Sequence, residues 1–413
     1  MLTCIDLFAG CGGLSLGLEM AGFKPLLFSE INKDAAATYK ANRANDVIEI
    51  GDIYQLSNTQ ISKIISNWKK SGIKDVDVIA GGPPCQGYSK IGHRRTFNLH
   101  KQDIPSNQLY HQMVRVIKAV RPRIFLFENV SGLLTAKWSP QGETGEIFRD
   151  VLKSFIGIKG YHVRWQLVHA KDYGVPQNRP RVLIVGVRKD LKIKVPATIP
   201  SDKTIIEATA IKDGLLPVGD RDYPTIVELL SDLCESKFQY GGKIERYSKD
   251  PSNAFQTRLR TTLSGVLLGK GSVLTEHEFS NHKPNIREKF AYMISNNGEI
   301  PKEMRTKKFS QKVLPKSWGA GGPNITACSM PDDYVHYSQA RAPSVREWAR
   351  LQTFPDWYVF KGPRTTGGRR RAGDPSKNIW ERDVPKFTQI GNAVPVELAR
   401  KVGIHLASLL RDS

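Results

Sequence analysis

Val76-Asp77-Val78-Ile79-Ala80-Gly81-Gly82-Pro83-Pro84-Cys85-Gln86-Gly87-Tyr88-Ser89 runs from a short apolar stretch into a turn of glycine and proline. Val76–Ala80 reads as a buried strand. Proline fixes φ, and glycine lets the backbone approach a ligand closely. The Cys85 thiol therefore stands just past a strand end in a rigid turn. Open α/β sheets place their ligands at that edge. A free cysteine is also commonly a buried structural thiol, so its neighbours in the chain must decide between the two readings.

Strand-like and helix-like segments alternate outward from this stretch. Leu2–Leu7 reads as a strand, followed by a glycine turn and a helix near Leu14–Ala21. Pro25–Ser29 and Val47–Ile50 read as strands leading to Glu30 and to Gly51-Asp52. Ile61–Lys70 and Asn107–Val120 read as helices. Ile124–Phe127 is a strongly apolar strand ending at Glu128, and Tyr161–His169 and Arg181–Val187 are two more strands. This alternation predicts an α/β fold with a doubly wound, mostly parallel sheet. From Lys189 to about Gln339 the pattern becomes irregular, polar and basic, which predicts a second, smaller unit of mixed structure. The expected division is 1–188, 189–340 and a segment 341–413 that regains helical periodicity. In that last segment Val394–Leu410 is an amphipathic helix, with Pro395 suited to its first position. Leu398, Ala399, Val402, Leu406, Leu409 and Leu410 form its apolar face.

The chain has 413 residues, enough for two domains, and a formal net charge of +21. That excess points to a polyanionic partner, nucleic acid ahead of a membrane surface, although a solvated basic surface would give the same count. The five cysteines include no Cys-x-x-Cys pair, which disfavours a disulfide framework or a cysteine zinc site and suits a reducing compartment. No apolar run is long enough to span a membrane, and Met1–Asp6 lacks a signal-peptide layout. A soluble, intracellular protein is expected.

Asp6-Leu7-Phe8-Ala9-Gly10-Cys11-Gly12-Gly13 joins the first strand to the first helix. Tight strand-to-helix turns need glycine in any case, so the turn alone fits either plain structure or a nucleotide-like cofactor. Glu30 and Asp52 then follow the next two strands. A carboxylate about twenty residues past a glycine turn is placed to accept from ribose hydroxyls. The second could accept from an adenine amino group. An adenosine-containing cofactor satisfies all three features, and the missing P-loop Lys-Ser/Thr disfavours nucleoside triphosphates.

Asp6-x-Phe8-x-Gly10-x-Gly12-Gly13, Pro83-Pro84-Cys85-Gln86, Glu128-Asn129-Val130, Gln177-x-Arg179-x-Arg181 and Gln389-x-Gly391-Asn392 occur in this order. With these five blocks the chain resembles the cytosine-C5 DNA methyltransferases that use S-adenosylmethionine. The blocks cover the first half and the C-terminal portion, while roughly 190–340 matches by position alone. The resemblance implies a Rossmann-like methyltransferase fold. It makes 1–188 the catalytic and cofactor-binding domain, 189–340 the target-recognition domain, and 341–413 a segment returning to the catalytic domain. It also implies a cofactor site of Asp6, Phe8, Gly10, Gly12, Glu30, Ile31, Asp52, Ile53, Pro83, Leu109, Asn392 and Ala393. Phe8, Ile31 and Leu109 would give apolar or stacking contacts. Asn392 could equally be the N-cap of the last helix.

Cytosine C5 is a poor nucleophile until a thiolate adds at C6, and Cys85 is the candidate nucleophile. A free thiol has a pKa near 8.5, so activation by its surroundings is expected. Glu128, with apolar flanks, would hold a proton well enough to share it with cytosine N3; a strand-end carboxylate is the plainer reading. Arg179 and Arg181 share a face of a strand. The resemblance gives Arg181 the contact with the base and Arg179 a supporting role; phosphate binding is the plainer alternative.

His277 and His282 suggest polar contacts in a DNA-facing loop rather than a metal site. Arg341–Trp348 resembles the family block that supports the recognition domain, and its residues read as structural. The target base must be flipped out of the duplex to be reached. The basic loop Lys90–Asn107, with His93, Arg94, Arg95, His100 and Lys101, is the expected lid. Gly362–Lys377, with Arg369-Arg370-Arg371, is an expected phosphate-touching loop. The expected partner is double-stranded DNA, with a cognate restriction endonuclease acting separately. The protein is expected to be monomeric, in a prokaryotic cytoplasm at the nucleoid. RNA-directed chemistry of the same kind and a non-catalytic DNA-binding scaffold stay as alternatives. A Cys-Phe-Thr block typical of the tRNA-acting relatives is not found, and the intact Cys85, Glu128 and Arg181 speak against a dead scaffold.

Overall fold

The computed structural model describes residues 1–84, 105–195, 215–219, 223–236, 238–305, 311–316, 323, 325, 333–365 and 383–413. Cys85, the loop residues up to 104 and Arg369–Arg371 lie outside the described residues. Among these residues the main sheet has seven strands. They are β1 (Leu2–Leu7), β2 (Phe23–Ser29), β3 (Ile48–Ile50), β4 (Val78–Gly81), β5 (Ile124–Val130), β6 (Tyr161–His169) and β7 (Pro180–Arg188). Their spatial order is β3-β2-β1-β4-β5-β7-β6. β3, β2, β1, β4 and β5 pair in parallel, and β7 lies antiparallel between β5 and β6. The chain steps outward from β1 to β3, then returns to place β4 on the other side of β1. That reversal opens a crevice outside the carboxyl ends of β1 and β4.

The side-chain alternation of a strand explains why both faces of the sheet are covered. Ile5, Leu7, Ile79, Phe125, Phe127, Val182 and Ile184 point to one face. There they pack with Met113 and Ile117 of the helix Tyr110–Val120 and with Phe148, Val151, Leu152 and Phe155 of the helix Glu146–Ile156. Cys4, Val78, Ala80, Ile124, Leu126, Leu183 and Val185 point to the other, against Leu14 and Leu18 of the helix Gly13–Met20 and Leu398, Val402 and Leu406 of the helix Val396–Arg411. The predicted limits of β1 and β6 coincide with those observed. The last helix starts at Val396, so Pro395 caps it from outside instead of occupying its first position. The helix predicted from Asn107 starts at Tyr110, after a 3-10 turn Pro105–Gln108. The strand predicted to end at Glu128 runs on to Val130, because β7 continues alongside and pairs Val130 with Arg181.

Past the main sheet the chain forms short helices, Ile226–Leu230, Ala254–Arg260 and Pro284–Ser295, and a two-strand pair, Lys312–Val313 with Tyr334–Val335. A third apolar cluster joins Leu229, Leu230, Tyr247 and Leu259 to Trp348, Phe354 and Phe387, and to Cys11 and Leu16 beside the first turn. Residues beyond 189 also stay on the sheet: Leu191, Ile193, Leu215 and Leu216 pack with its second face.

Fully buried arginines join this part of the chain to the helix Val345–Leu351. Arg350 pairs with Asp232 at 2.5 Å and with Asp356 at 2.6 Å. Arg341 makes a two-pronged pair with Glu347, both contacts 2.7 Å. A guanidinium is held away from water only where such partners compensate it, and removing one partner typically costs about 3–5 kcal/mol.

Candidate active site

The sheet register lines the site up. Ile50, Ser29, Leu7, Gly81 and Phe127 are successive cross-strand neighbours. The residues that follow each of them in the chain form the carboxyl edge: Gly51-Asp52, Glu30, Phe8, Gly82 and Glu128. Candidates far apart in sequence thus stand in one row.

Phe8 takes a φ of 60°, unusual for a side chain other than glycine. Its N–H donates to Ser29 Oγ at 3.1 Å. Gly10 donates its N–H to Glu30 Oε2 at 2.8 Å, and Asn32 donates to Glu30 Oε1 at 2.8 Å. Glu30 thus braces the glycine turn with both oxygens. Burial pushes its carboxyl above the usual value, against the pull of these two bonds. A side chain added at Gly10 would meet nothing within 4 Å, so the turn borders open space. Ile31 is 72% exposed, unusual for so large an apolar side chain. Asp52 accepts the N–H of Tyr54 at 3.0 Å. Ile53 is buried in the core. Leu109 is half-buried beside the start of the helix Tyr110–Val120.

Asp6 lies under the turn and is buried. Ser15 Oγ donates to its Oδ2 at 2.7 Å, while Oδ1 has no hydrogen-bond partner among the described residues. Burial pushes the Asp6 carboxyl up to about 7, opposed by the Ser15 bond and by Arg43. The C-terminal block closes on this turn. A Cβ at Gly13 would stand 2.4 Å from the Val394 carbonyl and 3.2 Å from Ala393 Cβ. Asn392 is exposed, and it is the last residue of the helix Lys386–Asn392. It is therefore not the N-cap of the final helix; Pro395 holds that place.

Glu128 is buried within β5, and its Oε1 lies 2.5 Å from Arg181 Nε on β7. Burial raises the Glu128 carboxyl above its ordinary value and the Arg181 charge pulls it back. Gly82 passes so close that a Cβ there would fall 2.8 Å from Glu128 Oε2, so any larger residue would push the Glu128 carboxylate aside. Asn129 Nδ2 donates to the Pro83 carbonyl at 3.1 Å. The buried Pro83 and the turn leading to Cys85 are thereby tied to the end of β5. Arg179 is turned elsewhere: Nη1 donates to the Ile325 carbonyl at 2.9 Å and Nη2 to the Gly391 carbonyl at 2.6 Å.

His277 overturns its sequence reading. It is buried, with Nδ1 2.8 Å from Ser344 Oγ and Nε2 3.0 Å from the Leu233 carbonyl. Burial pushes it down to about 4, so it is a neutral packing residue and not part of a DNA-facing loop. His282 Nε2 accepts the N–H of Ala342 at 3.2 Å.

Sequence reasoning missed the brace behind the glycine turn. Arg43 donates to Glu19 Oε1 at 2.6 Å and to the Gly12 carbonyl at 3.2 Å, and stacks over the Tyr39 ring at 3.8 Å. Tyr358 donates to the Cys11 carbonyl at 2.5 Å. The Gln389 side chain accepts from Thr38 Oγ1 at 2.7 Å. Apart from Tyr39, four residues before Arg43, their partners lie too far along the chain to be signalled by spacing.

Comparison with known proteins agrees with this architecture. The family model described as C-5 cytosine-specific DNA methylase matches residues 2–408. The type II methyltransferase M.DdeI of Desulfomicrobium norvegicum is 31% identical, over 100% of this chain and 91% of its own length. M.NgoPII of Neisseria gonorrhoeae is 36% identical, over 99% of this chain and 96% of its own. A crystal structure of a prophage-encoded DNA modification methyltransferase from E. coli superposes with a TM-score of 0.67 at 24% identity, covering 100% of both chains. At that identity the superposition speaks for the fold.

Proposed function

This chain belongs to the C-5 cytosine-specific DNA methylase family, and from that premise we propose the course of its reaction and the residues that carry it. Methyl transfer to cytosine C5 in DNA is the activity of that family. The finer reading is that S-adenosylmethionine binds along the carboxyl edge of the sheet, in the crevice outside the ends of β1 and β4. Asp6, Phe8, Gly10, Gly12, Glu30, Ile31, Asp52, Ile53, Pro83, Leu109, Asn392 and Ala393 would hold it. The open space beside Gly10, the exposed Ile31 and the unpartnered buried Asp6 Oδ1 suit such a guest. When bound, it supplies an electrophilic methyl group on a sulfonium sulfur.

The single observation that carries the catalytic reading is the buried Glu128–Arg181 pair, 2.5 Å apart beside Gly82 of the turn that leads to Cys85. The Cys85 thiolate forms a bond to C6 of a flipped cytosine. N3 takes a proton from Glu128 as the ring becomes an enamine. Arg181 holds cytosine O2 and keeps Glu128 in place, while Arg179 supports from behind. The enamine leaves C5 electron-rich, ready to accept a methyl group that the cofactor would supply when bound. Loss of the C5 proton to a base and departure of the Cys85 thiolate restore the aromatic ring. Extruding the base costs about a few kcal/mol.

Residues 189–340 serve as the target-recognition segment, and the net charge of +21 supports double-stranded DNA as the partner. The curated relatives are named as type II methyltransferases. The chain would accordingly act as a monomeric, sequence-specific modification enzyme in a prokaryotic cytoplasm, with a restriction endonuclease acting separately. The test is transfer of tritiated methyl groups to duplex DNA and to tRNA, followed by base analysis. Label in 5-methylcytosine of DNA alone is expected. Label confined to tRNA would replace this reading by the RNA-directed one, and label in neither would favour a binding scaffold.

A further inference from the structure

We propose that Arg179 is a positioning residue that couples DNA held by the 189–340 segment to the cofactor pocket. This inference rests on the reading of that segment as the DNA-recognition part. Arg179 is buried just before β7. One amino nitrogen of its guanidinium donates to the Ile325 carbonyl at 2.9 Å, in the recognition segment. The other donates to the Gly391 carbonyl at 2.6 Å, one residue before Asn392. The neighbouring Asn178 N–H donates to the Pro323 carbonyl at 2.9 Å, so the same stretch of the recognition segment is gripped twice. Two residues further along, Arg181 meets Glu128.

A planar guanidinium can hold two carbonyls in fixed directions at once, whereas a lysine ammonium is a point charge on a flexible stem. When DNA shifts Pro323 and Ile325, the guanidinium follows, and the Gly391 carbonyl with it. Gly391 leads into Ala393 and Val394, which pack on the glycine turn at Gly13. The arrangement links the DNA side and the cofactor side by one side chain, and by linkage the effect is equal in both directions.

The experiment uses the full chain, S-adenosylhomocysteine as a non-reacting probe, and a duplex carrying the target found by sequencing methylated DNA. Calorimetry with wild type is expected to show the duplex tightening probe binding about tenfold, and the probe tightening duplex binding by the same factor. In Arg179→Lys this factor should fall to near one, whatever the probe affinity without DNA becomes. An unchanged factor in the variant, or a factor of one in wild type, overturns the proposal. So does a loss of both affinities with the factor preserved, the outcome of a merely structural role. Hydrogen exchange on wild type keeps the test open should the variant misfold: duplex alone should slow exchange at 387–394, and no change there overturns the coupling. Methyl transfer by wild type is measured alongside. Its absence would strike the function itself, whereas active methylation without coupling strikes only this inference.

Discussion

Glu128 Oε1 and Arg181 Nε lie 2.5 Å apart although Glu128 is paired directly with Leu183 in the sheet. The contact is diagonal, between residues of antiparallel β5 and β7 that point to the same face. Both side chains are buried. Their attraction opposes the burial that raises the Glu128 carboxyl above its ordinary value.

Arg181→Met should remove the opposition and leave burial acting alone, so the folded-state pKa of Glu128 rises further. A carboxyl whose folded pKa is raised favours the fold below its unfolded value and loses that contribution as pH rises. The variant should therefore be more destabilised at pH 8 than at pH 5, by about 3–5 kcal/mol at the higher pH. Urea unfolding at the two pH values measures this, and Glu128→Gln in the same chain should restore part of the loss. Equal deficits at both pH values would contradict the pairing.

Cys85→Ser should abolish methyl transfer while cofactor and DNA binding persist. Duplex containing 5-fluorocytosine should form an adduct with wild type that survives a denaturing gel, and none with the variant. Substantial turnover by the serine form would rule out covalent attack by this thiol.

Glu30→Ala should weaken S-adenosylmethionine far more than DNA. Loss of a charge-assisted hydrogen bond costs about 1.5–3 kcal/mol, roughly ten- to hundredfold in affinity. The variant also frees the Gly10 and Asn32 N–H groups that Glu30 holds, so part of the loss will reflect the turn. Unchanged calorimetric affinity would take Glu30 out of the site.

Asp6 carries a pH signature. Its folded pKa is raised from 3.8 to about 7 by burial. The stability associated with the protonated form is complete below pH 3.8 and disappears as pH rises through about 7. Asp6→Asn should thus gain on wild type between those limits, by at most roughly 4 kcal/mol. Denaturant midpoints of the cofactor-free proteins at pH 5 and pH 8 decide it; a constant difference would mean that Asp6 does not titrate there.

Replacing residues 190–340 with the corresponding segment of a relative of different specificity should change which cytosines are marked, because bases are read by side chains in a groove while phosphate contacts only position the protein. Sequencing of methylated sites reads the outcome. A folded, active chimera that keeps the original target would place recognition elsewhere.

Periodicity and turn chemistry in the sequence determined the strands, their alternation with helices, and the residues that end on one edge. β1 and β6 were legible to the residue because apolar alternation and flanking turn residues are local signals. The end of β5 was not, since Asn129 and Val130 stay extended only through pairing with β7. His277 sits between two glutamates in sequence and reads as exposed, yet chain segments remote from it bury it. Asn392 reads as a cap because asparagine suits one, but the preceding helix claims it.

The tertiary structure alone decided the pairings across the chain: Glu128 with Arg181, Arg43 with Gly12 and Glu19, and Arg179 with Ile325 and Gly391. Local sequence carries φ preferences and hydrophobic period, which act over a few residues. Which buried charge meets which carboxylate or carbonyl depends on sheet order and on how distant segments pack, and those are fixed only when the whole core closes.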